Sequence, residues 1–108
     1  MSFSLLYTRS GTLQLVLRGE LDPSALSLLR RELATVLSAN PTEIEVRVPD
    51  SCVVEDAGLH LFESFFDIMW MRGCRFTVAR GEASAKPIGD RPDFRRRLTN
   101  RAEPSALA

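Results

Sequence analysis

The sequence contains few of the residues that mark specialised classes of protein. Its 108 residues include two cysteines, one histidine and one tryptophan. Cys52 and Cys74 lack the spacing of a metal site, and one pair is thin evidence for a disulfide framework, so we expect reduced thiols in a cytoplasmic protein. His60 has no metal-binding or catalytic partner nearby in the sequence, and we interpret it as a surface residue. The sequence therefore predicts no metal site and no cofactor.

Charge of one sign and long apolar runs are also missing. The 14 basic residues balance the 14 acidic ones, so no overall field favours nucleic acid or an anionic membrane as a partner. No apolar stretch approaches the length of a membrane span, and residues 1–6 lack the basic start and long apolar core of a signal peptide. We expect a soluble protein that neither inserts into a membrane nor binds nucleic acid.

What is present fits one α/β domain over residues 1–100, followed by a disordered tail at 101–108. Alternating apolar residues predict strands at 3–7, 13–17, 44–48 and 74–79, the first two forming an N-terminal β-hairpin through a turn at Ser10-Gly11. Helices are predicted from 23 to about 39, from about 56 to 71, and over 94–98. Residues 82–91 have no firm assignment. This order predicts a mixed, mostly parallel sheet of four to five strands with helices packed on one face.

Two acidic turns are predicted to open the two longer helices. Asp22 precedes Pro23, and a proline suits the first helical position because its missing amide costs nothing there. Asp56 is the predicted N-cap of the second helix, where a carboxylate accepts from free amides and meets the positive end of the helix dipole. An ordinary cap and a regulatory role are both open for Asp56, and one residue can serve both.

The second helix has an unusually wide apolar face. On a helical wheel its apolar residues cover about half the circumference, more than one-sided packing requires. They are Leu59, Leu61, Phe62, Phe65, Phe66, Ile68, Met69 and Trp70, opposite His60, Glu63, Ser64 and Asp67. Core packing explains the centre, whereas the margins at Leu61, Ile68, Trp70 and Met71 are candidates for contact with a partner. Arg95-Arg96-Arg97 is either a solvated helix face or a basic patch.

At two places the sequence resembles a STAS domain, the family of bacterial anti-sigma factor antagonists and their relatives. Gly19-Glu20-Leu21-Asp22, entering a helix, is similar to the family's Gly-Glu-Leu-Asp signature. Residues 55–59, Glu-Asp-Ala-Gly-Leu, stand where the family has Asp-Ser-Ser-Gly-Leu, again between a strand and a helix. With the element order, the resemblance covers roughly residues 3–99, and it implies a STAS-like fold.

The resemblance also implies a function and a departure from it. In the family, a kinase-like anti-sigma factor phosphorylates the first serine of the pair, and the modification switches binding off. Here Asp56 takes the place of that serine and Ala57 the place of the second, so the acceptor is lost. Arg47 stands where family members often have an aspartate. A carboxylate has about one negative charge where phosphoserine has close to two, so Asp56 is a partial mimic at best.

The hypothesis from the sequence is a non-catalytic, anti-sigma factor antagonist-like module that binds a kinase-like anti-sigma factor and is not phosphorylated at the usual site. The alternative is a STAS subunit that stabilises a phospholipid-trafficking ABC transporter or a stressosome-like scaffold. No nucleophile and base pair, phosphate loop or metal-ligand set points to an enzyme. A homodimer is a possible assembly. The predicted partner-binding residues are Glu20, Asp22, Glu55, Asp56, Ala57, Gly58, Leu59 and Trp70.

Overall fold

The computed structural model describes residues 3–19, 22–50 and 54–99. Its elements are β1 (Phe3–Tyr7), β2 (Thr12–Leu17), α1 (Pro23–Ala39), β3 (Glu43–Val48), α2 (Asp56–Met71), β4 (Arg75–Arg80), β5 (Lys86–Pro87) and α3 (Arg91–Thr99). The predicted tail at 101–108 lies outside the described residues, as do Glu20 and Cys52.

The strands form one sheet in the order β1-β2-β3-β4-β5. β1 and β2 pair antiparallel, which confirms the predicted N-terminal hairpin, and β2, β3 and β4 run parallel to one another. β5 adds a short antiparallel pairing to β4. The α/β class with a mixed sheet is thus confirmed. Because of β5, parallel and antiparallel pairings are equal in number, whereas the sequence predicted a mostly parallel sheet.

One face of the sheet forms the core, because successive side chains of a strand point to opposite faces. The buried side chains of β2 and β3 alternate with partly exposed ones such as Gln14 and Glu45. α1 contacts α2, and α2 contacts α3, so the helices lie side by side. The prediction of helices on one face agrees with this arrangement. The core-facing residues of the central strands are Leu13, Leu15, Leu17, Ile44, Val46, Val48, Phe76 and Val78.

The last described helix packs on the core through aromatic rings. Phe94 stacks on Phe66 at a centroid distance of 4.6 Å and meets Phe76 edge-on at 5.6 Å. Asp90 caps this helix by accepting from the amide of Asp93 at 2.9 Å. The cap explains why α3 begins at Arg91, three residues earlier than predicted. Among the described helices, none is long and apolar enough to cross a bilayer.

Candidate functional site

Both acidic turns lie at the end of the sheet where the parallel strands have their carboxyl ends. Asp22 follows β2, and Glu55 follows β3, and these strands are parallel neighbours. The carboxyl ends of parallel neighbours share an edge, which is where open α/β sheets present their binding surfaces. The fold therefore brings the start of α1 and the start of α2 to the same end of the molecule.

The N-terminus of α1 is capped by the side chain of Asp22. Asp22 has extended backbone geometry, and its Oδ1 accepts from the amide of Ala25 at 2.8 Å. Pro23 occupies the first helical position, as predicted. The helix ends at Ala39 with Asn40 in the left-handed region at φ 53°, a conformation that asparagine tolerates well. Asp22 thus acts as a cap, and its side chain remains exposed to solvent.

The start of α2 differs from the prediction by one residue. Glu55 holds the N-cap position, and Asp56 is the first residue of the helix. The backbone oxygen of Glu55 accepts from the amide of Leu59 at 2.8 Å, but its side chain makes no capping hydrogen bond to the described residues. Asp56 still lies in the first turn, where the helix dipole favours an anion. The predicted cap at Asp56 was therefore wrong by one position.

The corner at the start of α2 exposes three residues to solvent. Val54 and Leu59 are both buried in the core, and they anchor the chain on either side. Glu55, Asp56 and Ala57 between them are exposed, whereas Gly58 is buried against the interior. We call Glu55, Asp56 and Ala57 the acidic corner. Of the predicted partner-binding residues at this turn, Gly58 and Leu59 support the corner from below, and neither presents a side chain to solvent.

Trp70 lies apart from the acidic corner. It is fourteen residues after Asp56 in the same helix, or about 21 Å along the axis at 1.5 Å per residue. Its ring stacks on Phe66 with centroids 5.1 Å apart, and it lines a cavity with Phe76 and Ile88. The structure therefore brings Asp22 and the acidic corner to one end of the fold and leaves Trp70 at the other end of α2.

An outer stripe of α2 begins at the acidic corner. Its residues are four, three, four and three positions apart, a spacing that keeps side chains on one line of a helix. Ile68 is 42% exposed and Met71 is 87% exposed, and Leu61 is partly buried against the core. The sequence singled out these margins correctly as the incompletely covered part of the apolar face. The stripe consists of Ala57, Leu61, Ser64, Ile68 and Met71.

Glu63 was assigned to the solvent side of α2, but it is 3% exposed. Arg91 and Arg95 of α3 approach its carboxylate at 3.8 and 3.6 Å, and Arg91 also reaches Asp67 at 3.5 Å. A buried carboxylate requires such partners because an unpaired charge is costly in the interior. The arginines of α3 are visible in the sequence as possible partners for a buried carboxylate. Their spacing does not indicate that they pair with Glu63 of α2.

The remaining arginines of α3 are also paired. Arg97 contacts the Asp93 carboxylate at 3.3 Å, and Arg96 forms a closer ion pair with the same oxygen. Burial is the largest single influence on the pKa of Asp93 and raises it, but the hydrogen bonds from Arg97, the Gly89 amide and Arg96 together lower that pKa below its usual value. The arginines of the basic run therefore form ion pairs with carboxylates of the same domain.

Arg80, which the sequence did not single out, connects the ends of several elements. Its guanidinium donates to the backbone oxygens of Pro49, Arg97 and Leu98 at 3.4, 3.4 and 2.5 Å. Pro49 follows β3 and begins the segment that leads to the acidic corner. One side chain thus connects the end of β3 to the end of α3.

Comparison with known protein families finds no matching family model, and comparison with curated proteins finds no significant match. The comparisons assign no family. Within residues 3–19, 22–50 and 54–99, no group of three or more histidine, cysteine, aspartate or glutamate side chains is placed to hold a metal ion. The geometry of the acidic corner and of the α2 stripe is thus the basis for a functional hypothesis.

Proposed function

We propose that this chain is a non-catalytic protein-interaction module of the STAS type, which acts as an anti-sigma factor antagonist and binds a kinase-like anti-sigma factor. The observation that carries the proposal is the acidic corner, an exposed turn between buried Val54 and Leu59, at the same end of the sheet as Asp22. It corresponds to the place of the phospho-acceptor in the resemblance described above.

The charge of the corner supports a basic partner surface. Glu55 and Asp56 are adjacent and exposed, and opposite charges across an interface accelerate encounter and select the partner. None of the three corner residues has a hydroxyl group, so a kinase has no acceptor there. We therefore propose that binding is constitutive, because the Asp56 carboxylate has less charge and fewer acceptor oxygens than the phosphate that switches binding off in the STAS family.

The test uses the kinase-like anti-sigma factor of the source organism, with affinity measured by calorimetry in the presence and absence of ATP. We expect binding in both conditions and an unchanged mass of this chain. Glu55→Lys and Asp56→Lys should each weaken binding at least tenfold, or about 1.4 kcal/mol. Glu32→Lys on the exposed surface of α1 is the matched control and should leave affinity unchanged. Equal affinity of all three variants, or phosphate on Ser51 or Ser64, would contradict the proposal.

A second experiment tests the kinase relationship itself. Asp56→Ser places a hydroxyl at the first position of α2, where the residue is exposed. If the partner is an active kinase, radiolabelled phosphate should enter this variant but not the unmodified chain, and the phosphorylated variant should lose affinity. Failure to incorporate phosphate would show that the kinase relationship is absent.

The exposed part of the α2 stripe favours a second candidate, a STAS subunit that stabilises a phospholipid-trafficking transporter or a stressosome-like scaffold. Ile68 and Met71 offer apolar surface that a permanent neighbour would cover. Met71→Lys should then abolish copurification with transporter or scaffold subunits, whereas the corner variants should not. The reverse pattern would favour the anti-sigma factor antagonist.

A further inference from the structure

The two edges of the sheet are protected very differently. At one edge, β5 has two residues, of which Pro87 donates no amide hydrogen and Lys86 is charged. Natural sheets use such short strands, prolines and lysines to prevent pairing with other chains. At the other edge, β1 has five residues, Phe-Ser-Leu-Leu-Tyr, without charge or proline. Leu6 and Tyr7 of this strand are 59% and 46% exposed.

The hydrogen-bond pattern shows which residues of β1 face the free edge. The amide of Thr8 donates to the oxygen of Thr12 at 2.8 Å. Since the two kinds of residue pair alternate along an antiparallel ladder, Leu6 and Ser4 also direct their backbone groups toward β2. The amides and carbonyls of Phe3, Leu5 and Tyr7 therefore point away from the sheet, and no described strand lies beyond them.

We propose that β1 pairs with β1 of a second copy of this chain, antiparallel, across a two-fold axis at Leu5. The outward positions are symmetric about that residue. Leu5 then exchanges two hydrogen bonds with Leu5 of the second copy, and Phe3 exchanges two with Tyr7 of the second copy at each end. The two sheets become one continuous sheet.

The outward backbone groups of β1 are complementary to those of an identical strand, which favours a second copy of this chain as the partner of β1. Every outward donor of β1 meets an outward acceptor of the same segment, which is the requirement of a two-fold interface. On the helix side of the sheet, this register places Phe3 beside Tyr7 of the second copy and Leu5 beside its equivalent, pairs that stabilise neighbouring strands. A cavity of about 390 Å³ between β1 and α1 borders this position and is lined in part by Leu5 and Leu28.

This surface is separate from the acidic corner, because β2 lies between β1 and β3. Both copies would keep their corners free, so the dimer would present two partner-binding sites and gain affinity for a clustered partner. The dimer does not depend on the proposed function, and each can fail without the other.

The test compares amide exchange and sedimentation between about 10 µM and about 1 mM protein. At the high concentration we expect a dimer in which the amides of Leu5 and Tyr7 are protected. At the low concentration those two amides should exchange rapidly, while Leu6 and Thr8 remain protected by β2. A monomer throughout, or a dimer in which Leu5 and Tyr7 exchange rapidly, would overturn the proposal.

Tyr7→Pro is the matching variant, since it removes an outward donor and places a ring at the edge without removing a bond to β2. It should sediment as a monomer at every concentration, with circular dichroism of the folded protein. Tyr7→Ala retains the amide and should still dimerise, with affinity reduced by loss of the aromatic pair. If Tyr7→Pro does not fold, the exchange pattern of the unmodified chain decides alone. Dimerisation of a folded Tyr7→Pro variant would refute β1 pairing.

Discussion

Replacing Glu63 and replacing its arginine partners should have very different effects on stability. The carboxylate is almost fully buried, whereas Arg91 and Arg95 are each about half exposed. If Glu63 becomes methionine, the arginines regain water and the helix keeps a side chain of similar volume. If both arginines become methionine, the carboxylate stays in the interior without a partner. Both perturbations break the ion pairs of Glu63, but they leave different groups unsatisfied.

The expected changes in the free energy of unfolding follow from the cost of keeping an unpaired charge away from water. Removing the partners of a buried charge costs about 3–5 kcal/mol, whereas replacing a buried ion by a packed apolar group is often neutral. We therefore expect Arg91→Met with Arg95→Met to lower the free energy of unfolding by about 3 kcal/mol, and Glu63→Met to change it by less than about 1 kcal/mol. For a domain of this size the first corresponds to a melting temperature lower by about 12 °C. The contact between Arg91 and Asp67 adds little, because both side chains are substantially exposed.

Urea denaturation followed by circular dichroism gives the free energy of unfolding of the unmodified chain, of Glu63→Met and of the double arginine variant. A triple variant that combines Glu63→Met with both arginine substitutions is measured in the same way. The triple variant should recover most of the loss, because it has no buried charge. Equal destabilisation by Glu63→Met and by the double arginine variant would refute the reasoning. So would a triple variant as unstable as the double one, which would mean that the arginine stems contribute by packing.

Three further predictions concern the caps, the thiol and the core. Asp22→Ala should cost about 1 kcal/mol in urea denaturation because it removes the α1 cap, whereas Glu55→Ala should cost less than about 0.5 kcal/mol since its side chain makes no capping hydrogen bond to the described residues. Burial, with a smaller contribution from nearby Glu43, raises the pKa of Cys74 to about 11, so alkylation of the native protein at pH 8 should spare it. Because the folded pKa is raised, the thiol's contribution to stability should be complete below pH 9 and fall as pH rises toward 11. Phe94→Ala should cost about 3–5 kcal/mol in a thermal melt, and a loss below about 1 kcal/mol would show that α3 hardly contributes to the core.

The sequence predicted the elements with strong periodicity and clear end signals. Alternation in β2 and β3, and the Asp22-Pro23 start with the Asn40-Pro41 end of α1, are local features that the fold retains. The exposed margins of α2 were also found, because an apolar face wider than one neighbour can cover leaves residues such as Met71 outside.

The features that the sequence missed depend on tertiary contacts. β5 consists of Lys86 and Pro87, which have no strand preference and pair only because β4 offers a free edge. Glu63 looks like a surface residue by spacing, and it is buried because α3 brings two arginines over it. Trp70 was included in the predicted site because it lies at the margin of the apolar face of α2, but the length of the helix separates it from the acidic corner.

The three backbone oxygens that Arg80 holds have a practical consequence for anyone fusing a tag to this protein. Two of them are near the last described residue, Thr99, and the third begins the segment that ends at Glu55. A bulky C-terminal fusion that disturbs the last turn of α3 would loosen the same guanidinium and with it the contact to Pro49 at the end of β3. Affinities measured with the fusion at the C-terminus should therefore be repeated with the tag removed.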